Sequence, residues 1–86
     1  MQLKFRPSRY FAHEYKDPDA IALTGHELDG RAITLACVFK RDGKYVGISY
    51  VADSVETFPT KEQAKSYVVA LCAVASNRLQ FITNHK

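Results

Sequence analysis

Apolar and polar positions alternate most clearly on either side of Asp42-Gly43. "RAITLACVFK" runs into that pair and "KYVGISYVA" runs out of it, the pattern of two strands joined by a two-residue turn. A type I′ turn needs positive φ at both central residues, which Asp-Gly tolerates. With Arg41 and Lys44 closing the turn, Phe39 faces Val46, Cys37 faces Ile48, Leu35 faces Tyr50 and Ile33 faces Ala52. These pairs make one continuous apolar face. The other face carries Thr34, Ala36, Val38, Gly47, Ser49 and Val51, all small and uncharged.

The period changes after Pro59. Ala64, Tyr67, Val68, Leu71, Val74 and Ala75 recur at spacings of three and four, which predicts a helix with one apolar stripe. Thr60 stands at the N-cap with Gln63 three residues on, a capping box. The pair Ser76 and Asn77 marks the expected end. Val69, Ala70 and Ala73 lie off the stripe, so this helix is apolar nearly all round and calls for cover on a second side. The N-terminal segment or another subunit would supply it.

Upstream, "AIALTGHELDG" ends in a second Asp-Gly at Asp29-Gly30 and predicts a third strand near residues 20 to 27. Simple pairing sets Ile21 and Leu23 opposite Val38 and Ala36, on the small-residue face. A bulge near Gly25 would restore the alternation; the other solution is a sheet buried on both faces. "PSRYFAHEYKDP" reads either as a short helix capped by Ser8, with Phe11 and Tyr15 one turn apart, or as an edge strand. "RLQFITNHK" reads as a last strand or a helix end. The expected fold is therefore α+β, a single domain over 1–86. A three-stranded antiparallel meander packs on one C-terminal helix, with an N-terminal helix or edge strand beside it.

Composition narrows the class. Hydrophobic residues make up 47% of the 86 positions and charged residues 24%, which excludes wholesale disorder. The net charge of +3 permits polyanion binding without requiring it. The longest apolar run, "YVVALCAVA", is far short of the roughly 20 residues of a membrane-spanning helix. "MQLKFRPSRYF" has basic residues but no apolar stretch after them, unlike a signal peptide. Cys37, in a strand, and Cys72, in a helix, read as buried, reduced thiols of a cytoplasmic protein. They would pair only if the two elements packed cysteine to cysteine.

Little chemistry is encoded. His13, His26 and His85 match no zinc spacing, and there is no Cys-x-x-Cys pair. No glycine-rich phosphate loop or nucleophile motif is present. The expectation is a non-catalytic protein without metal or cofactor. The candidate site is the hairpin tip, where Lys40, Arg41 and Lys44 surround the turn beside Tyr45. Cations interleaved with an aromatic suit phosphates and a stacked base, and charged tips also discourage strand-to-strand aggregation. Lys4, Arg6 and Arg9 form a second basic group.

Three resemblances bear on function. The order of strand, "RDGK" turn, strand and "FPTKEQAKSY" resembles plant ethylene-response and phage-integrase arm-binding domains, whose helix begins Phe-x-Thr-x-Glu-x-Ala. Phe58, Thr60, Glu62 and Ala64 match that start. "TKEQAK" is similar to the start of the last helix of double-stranded-RNA-binding domains, which implies phosphate contacts for Lys61 and Lys65. In size and lack of catalytic signature the chain also resembles small phage inhibitors of the anti-CRISPR type. That likeness implies a host-protein target docked on the flat, small-residue sheet face and the helix exterior, with Tyr45, Tyr50, Val69 and Ala73 as contacts. The expected partner is nucleic acid or a nucleoprotein complex, with host-protein docking as the alternative and a homodimer as a third arrangement.

Overall fold

The computed structural model describes the backbone of residues 3–26 and 30–84, with side chains as far as residue 74. The elements run β1 (Lys4–Pro7), α1 (Arg9–Glu14), β2 (Ile21–His26), β3 (Ala32–Arg41), β4 (Lys44–Ser49), β5 (Ser54–Phe58) and α2 (Lys61–Asn84). The α+β class holds, but the sheet is larger than the expected three strands. Among the described residues, five strands form one antiparallel sheet in the order β1-β2-β3-β4-β5. The two additions are the edge strands β1 and β5, both short.

The hairpin takes the register set by its turn. Arg41 pairs with Lys44, Phe39 with Val46 and Cys37 with Ile48, and Asp42 and Gly43 have φ of 53° and 77°. Beyond Ser49 the expected pairing stops. Tyr50 still donates its N–H to the Leu35 carbonyl at 2.9 Å. Ala52, expected opposite Ile33, instead donates its N–H to Ser49 Oγ at 3.1 Å, and Asp53 adopts φ 51° to turn the chain into β5. Asp29 lies outside the described residues; Gly30 next to it has φ 87°.

Both faces of the sheet are covered. Along β3, five consecutive residues from Leu35 to Phe39 are buried, which requires cover above and below. α1 covers one face, with Phe11 packed among Ala20, Ala22, Cys37, Phe39 and Val46. α2 covers the other through Ala64, Val68 and Cys72 against Leu23, Leu35, Ala36 and Val38. Ile21 and Leu23 thus do stand opposite Val38 and Ala36, under α2. A bulge exists as well, but not at Gly25. The register shifts between Leu23 and Thr24 and leaves Leu35 as the extra residue on β3, so Leu35 and Ile33 turn toward α2 while Cys37 and Phe39 face α1.

The small-residue face is therefore not open for docking. α2 occupies it because its residues are small. A Cβ on Gly47 would lie 3.1 Å from Val68 Cγ1 and 3.3 Å from the Ala64 carbonyl oxygen. Thr60 Oγ1 accepts the Gln63 N–H at 3.2 Å and caps α2 as expected. The helix does not stop at Ser76 or Asn77 but runs to Asn84. Its buried line is Ala64, Val68, Cys72. Val74, expected on the stripe, sits about 200° around the helix from Cys72 at 100° per residue and is exposed. The expected second-side cover is met only in part: Val69 is half-buried against the same core as Leu3 and Phe5, whereas Ala70 and Ala73 are exposed.

The cysteines lie on opposite faces, Cys37 among the α1-side residues and Cys72 among the α2-side residues, and both are free. Burial pushes both thiols above their ordinary pKa, with the Tyr50 hydroxyl at 3.5 Å offsetting part of the shift at Cys37. A thiol whose pKa is higher folded than unfolded stabilises the fold below the unfolded value and loses that contribution as pH rises. Stability should therefore decline as pH climbs above about 8.5, the ordinary thiol value. Urea midpoints at pH 7 and pH 10 measure this. The decline should be shallower in a Cys37→Ala/Cys72→Ala variant, and an equal decline in both proteins would contradict the assignment.

Candidate functional site

The hairpin tip is held from outside the hairpin. β2 begins at Ile21, opposite Val38, so the β3 backbone beyond Val38 has no strand beside it there. Asp17 supplies the missing acceptor: its buried carboxylate takes the Lys40 N–H on Oδ2 at 2.7 Å and the Asp19 N–H on Oδ1 at 3.0 Å. Asp17 lies just past α1, which Ser8 starts by accepting the Phe11 N–H at 3.2 Å. Lys16, with φ 54°, turns the chain away from that helix.

An aromatic spine runs under α1 toward the tip. Tyr50 stacks on Phe11 at 6.3 Å between centroids, and Phe11 on Tyr15 at 6.0 Å. Tyr15 lies flat on Phe39 at 3.8 Å and 4°. The Arg41 guanidinium closes the series, 5.1 Å from the Phe39 centroid and 5.7 Å from that of Tyr15. With the two ring centroids only 3.8 Å apart, these distances set the guanidinium against the shared edge of the ring pair, and Arg41 is an exposed residue. Packing of this kind restricts where the guanidinium can sit and leaves N–H donors for an anion.

The register divides the tip cations between the two sides of the ribbon. Lys40 pairs with Tyr45 on the α2 side, where its ammonium lies 5.8 Å from the Tyr45 ring. Arg41 pairs with Lys44 on the α1 side. An open depression at this end is lined by Glu14, Tyr15, Lys16, Lys40, Arg41 and Asp42. Among the described residues, no ion pair engages Lys40, Arg41 or Lys44.

The other expected site residues are spread out. Lys61 donates to the Asp19 carbonyl at 3.2 Å, joining the start of α2 to the loop that holds Lys40. Lys65 points elsewhere, 5.0 Å from the Phe5 ring and 4.0 Å from Glu62. Val69 is half-buried against the α2-side core and Ala73 is exposed. Tyr50 lies just past the end of β4, away from the tip, and is half-exposed; burial, with the Cys37 thiol beside it, pushes its hydroxyl above the ordinary phenol range. Lys4 and Arg6 sit opposite Thr24 and Ala22 on the edge strand β1.

Tyr15, Lys16 and Asp17 belong to the tip although sequence reasoning did not place them there. "YKDPD" signals a turn, but which hairpin that turn meets is a long-range fact. Among the described residues, His, Cys, Asp and Glu form no group of three that would hold a metal, and no helix is long and apolar enough to cross a membrane. No protein-family model, curated protein or solved structure matches the chain.

Proposed function

We propose that this chain is a small, non-catalytic cytoplasmic binding protein that engages nucleic acid, or a nucleoprotein complex, through the β3–β4 tip. The observation that carries this reading is the gathering at one tip of Lys40, Arg41 and Lys44, none of them in an ion pair among the described residues, with Arg41 packed beside the Tyr15 and Phe39 rings. Fixing a guanidinium in this way lowers the entropy lost when a phosphate binds.

A second reading rests on a different feature. Tyr10, Tyr50, Val51 and Val55 are all large and exposed. Val55 pairs with Ile48 on the α1 side of the sheet, and on β5 it stays exposed. This surface would suit a phage-type inhibitor docking on a host protein complex. Self-association would fall to the exposed Ala70, Ala73 and Val74 of α2.

A pull-down from bacterial lysate, split into nuclease-treated and untreated halves, separates these readings. The tip reading predicts recovered nucleic acid that is lost on Lys40→Gln/Arg41→Gln/Lys44→Gln. A single protein complex that survives nuclease and high salt, and is retained by that variant, would overturn it in favour of docking.

A further inference from the structure

Resting on the nucleic-acid reading, we infer that the tip inserts as a β-ribbon into the major groove of double-stranded DNA and grips the phosphates of both groove walls without reading bases. The division of charge across the ribbon carries the argument. Lys40 projects on one side, and Arg41 and Lys44 on the other. A flat run of phosphates would be met by cations on a single face. Cations on both faces fit a cleft with anionic walls on either side. The B-form major groove, about 12 Å wide, admits a two-stranded ribbon, whereas the A-form major groove of RNA is too narrow for side chains to read.

Single strands are disfavoured for a separate reason. Their binders rely on open aromatic platforms for the bases. Here Tyr15 and Phe39 cover each other's facing sides with Arg41 against their edge, and Lys40 lies over Tyr45. At the apex, Asp42-Gly43, the one side chain that could reach a base edge is a carboxylate, which can accept only from a base amino group such as cytosine N4. The Asp42 carboxylate opposes the groove, so contact falls to the cations flanking it. That makes a distinctive sign: Asp42→Asn, which keeps a residue tolerant of positive φ, should tighten binding.

Fluorescence anisotropy on labelled 20-mers tests the inference, using two unrelated DNA duplexes, an RNA duplex and oligo(dT), from 50 to 300 mM salt. Both DNA duplexes should bind within about twofold of each other and more tightly than the RNA duplex or oligo(dT). The slope of log K against log salt should be about −3, and shallower by about one for Arg41→Gln or Lys40→Gln. Arg41→Lys, which keeps the charge and loses the planar guanidinium packed against the two rings, should weaken binding about two- to fivefold. Thermal melts of the free variants confirm that each is folded. Equal or tighter binding of oligo(dT) or the RNA duplex, or more than tenfold discrimination between the DNA sequences, overturns the groove inference and leaves the nucleic-acid reading standing. Absence of binding to every probe overturns both.

Discussion

Phe39→Ala is expected to lower the free energy of unfolding by about 3–5 kcal/mol, the range for removing a buried aromatic ring from a core. Phe39 is 2% exposed and is one of the largest fully buried side chains. It lies on the central strand of the sheet, under α1, where Tyr15 stacks on it. Truncation would leave a cavity that the short α1 has little means of closing, and it would remove one of the two rings beside which Arg41 packs. Two readouts should therefore move together. The urea midpoint should drop, and any nucleic-acid affinity measured where the variant is still folded should fall further than for Phe39→Leu. A loss of stability below about 1 kcal/mol would mean that the α1-side core is not packed as described.

The second large effect is expected at Gly47. Glycine in a strand normally destabilises by about 0.5–1 kcal/mol relative to alanine, so Gly47→Ala recovers backbone entropy while forcing Val68 or the α2 backbone to give way. Gly47→Val adds two further methyl groups where the Ala64 carbonyl already lies 3.3 Å from the first added carbon. Its expected cost is about 1–3 kcal/mol from overpacking. Val68→Ala in the same chain should recover part of that loss, and a double-mutant cycle measures the coupling. If Gly47→Val is neutral, α2 does not lie on that face of the sheet.

What was legible in the sequence was mostly local. Asp42-Gly43 set the hairpin register because the turn leaves no freedom in the pairing beside it. Ser8 and Thr60 announced their helices through side-chain oxygens that cap the first turn. The placement of α2 was not legible from alternation alone. The pairs on the Phe39 face suggested one core face, yet "LACVF" is an unbroken apolar run, and such a run is the signal of a strand covered on both sides. Weighed above the alternation, it would have turned the small residues around Gly47 from an open surface into a helix seat.

The edge strands were missed for a different reason. "KFRP" and "SVETF" are short and half-polar, and each pairs on one side only, so neither needs a strong pattern of its own. At the tip, the cations were readable but their arrangement was not. That Arg41 would settle on Tyr15, and that Asp17 would hold the Lys40 amide, depends on α1 folding back over β3.

The central claim is that the tip, and not the Tyr50–Val55 side of the sheet, is the binding surface. The most direct test is an NMR titration of isotope-labelled protein with a short DNA duplex, following backbone amide shifts residue by residue. The account predicts that the largest changes fall on Lys40 to Tyr45 and on Lys16 and Asp17, fading with added salt. Changes confined to Ser49 through Thr57, or no change at any ratio of duplex to protein, would contradict it.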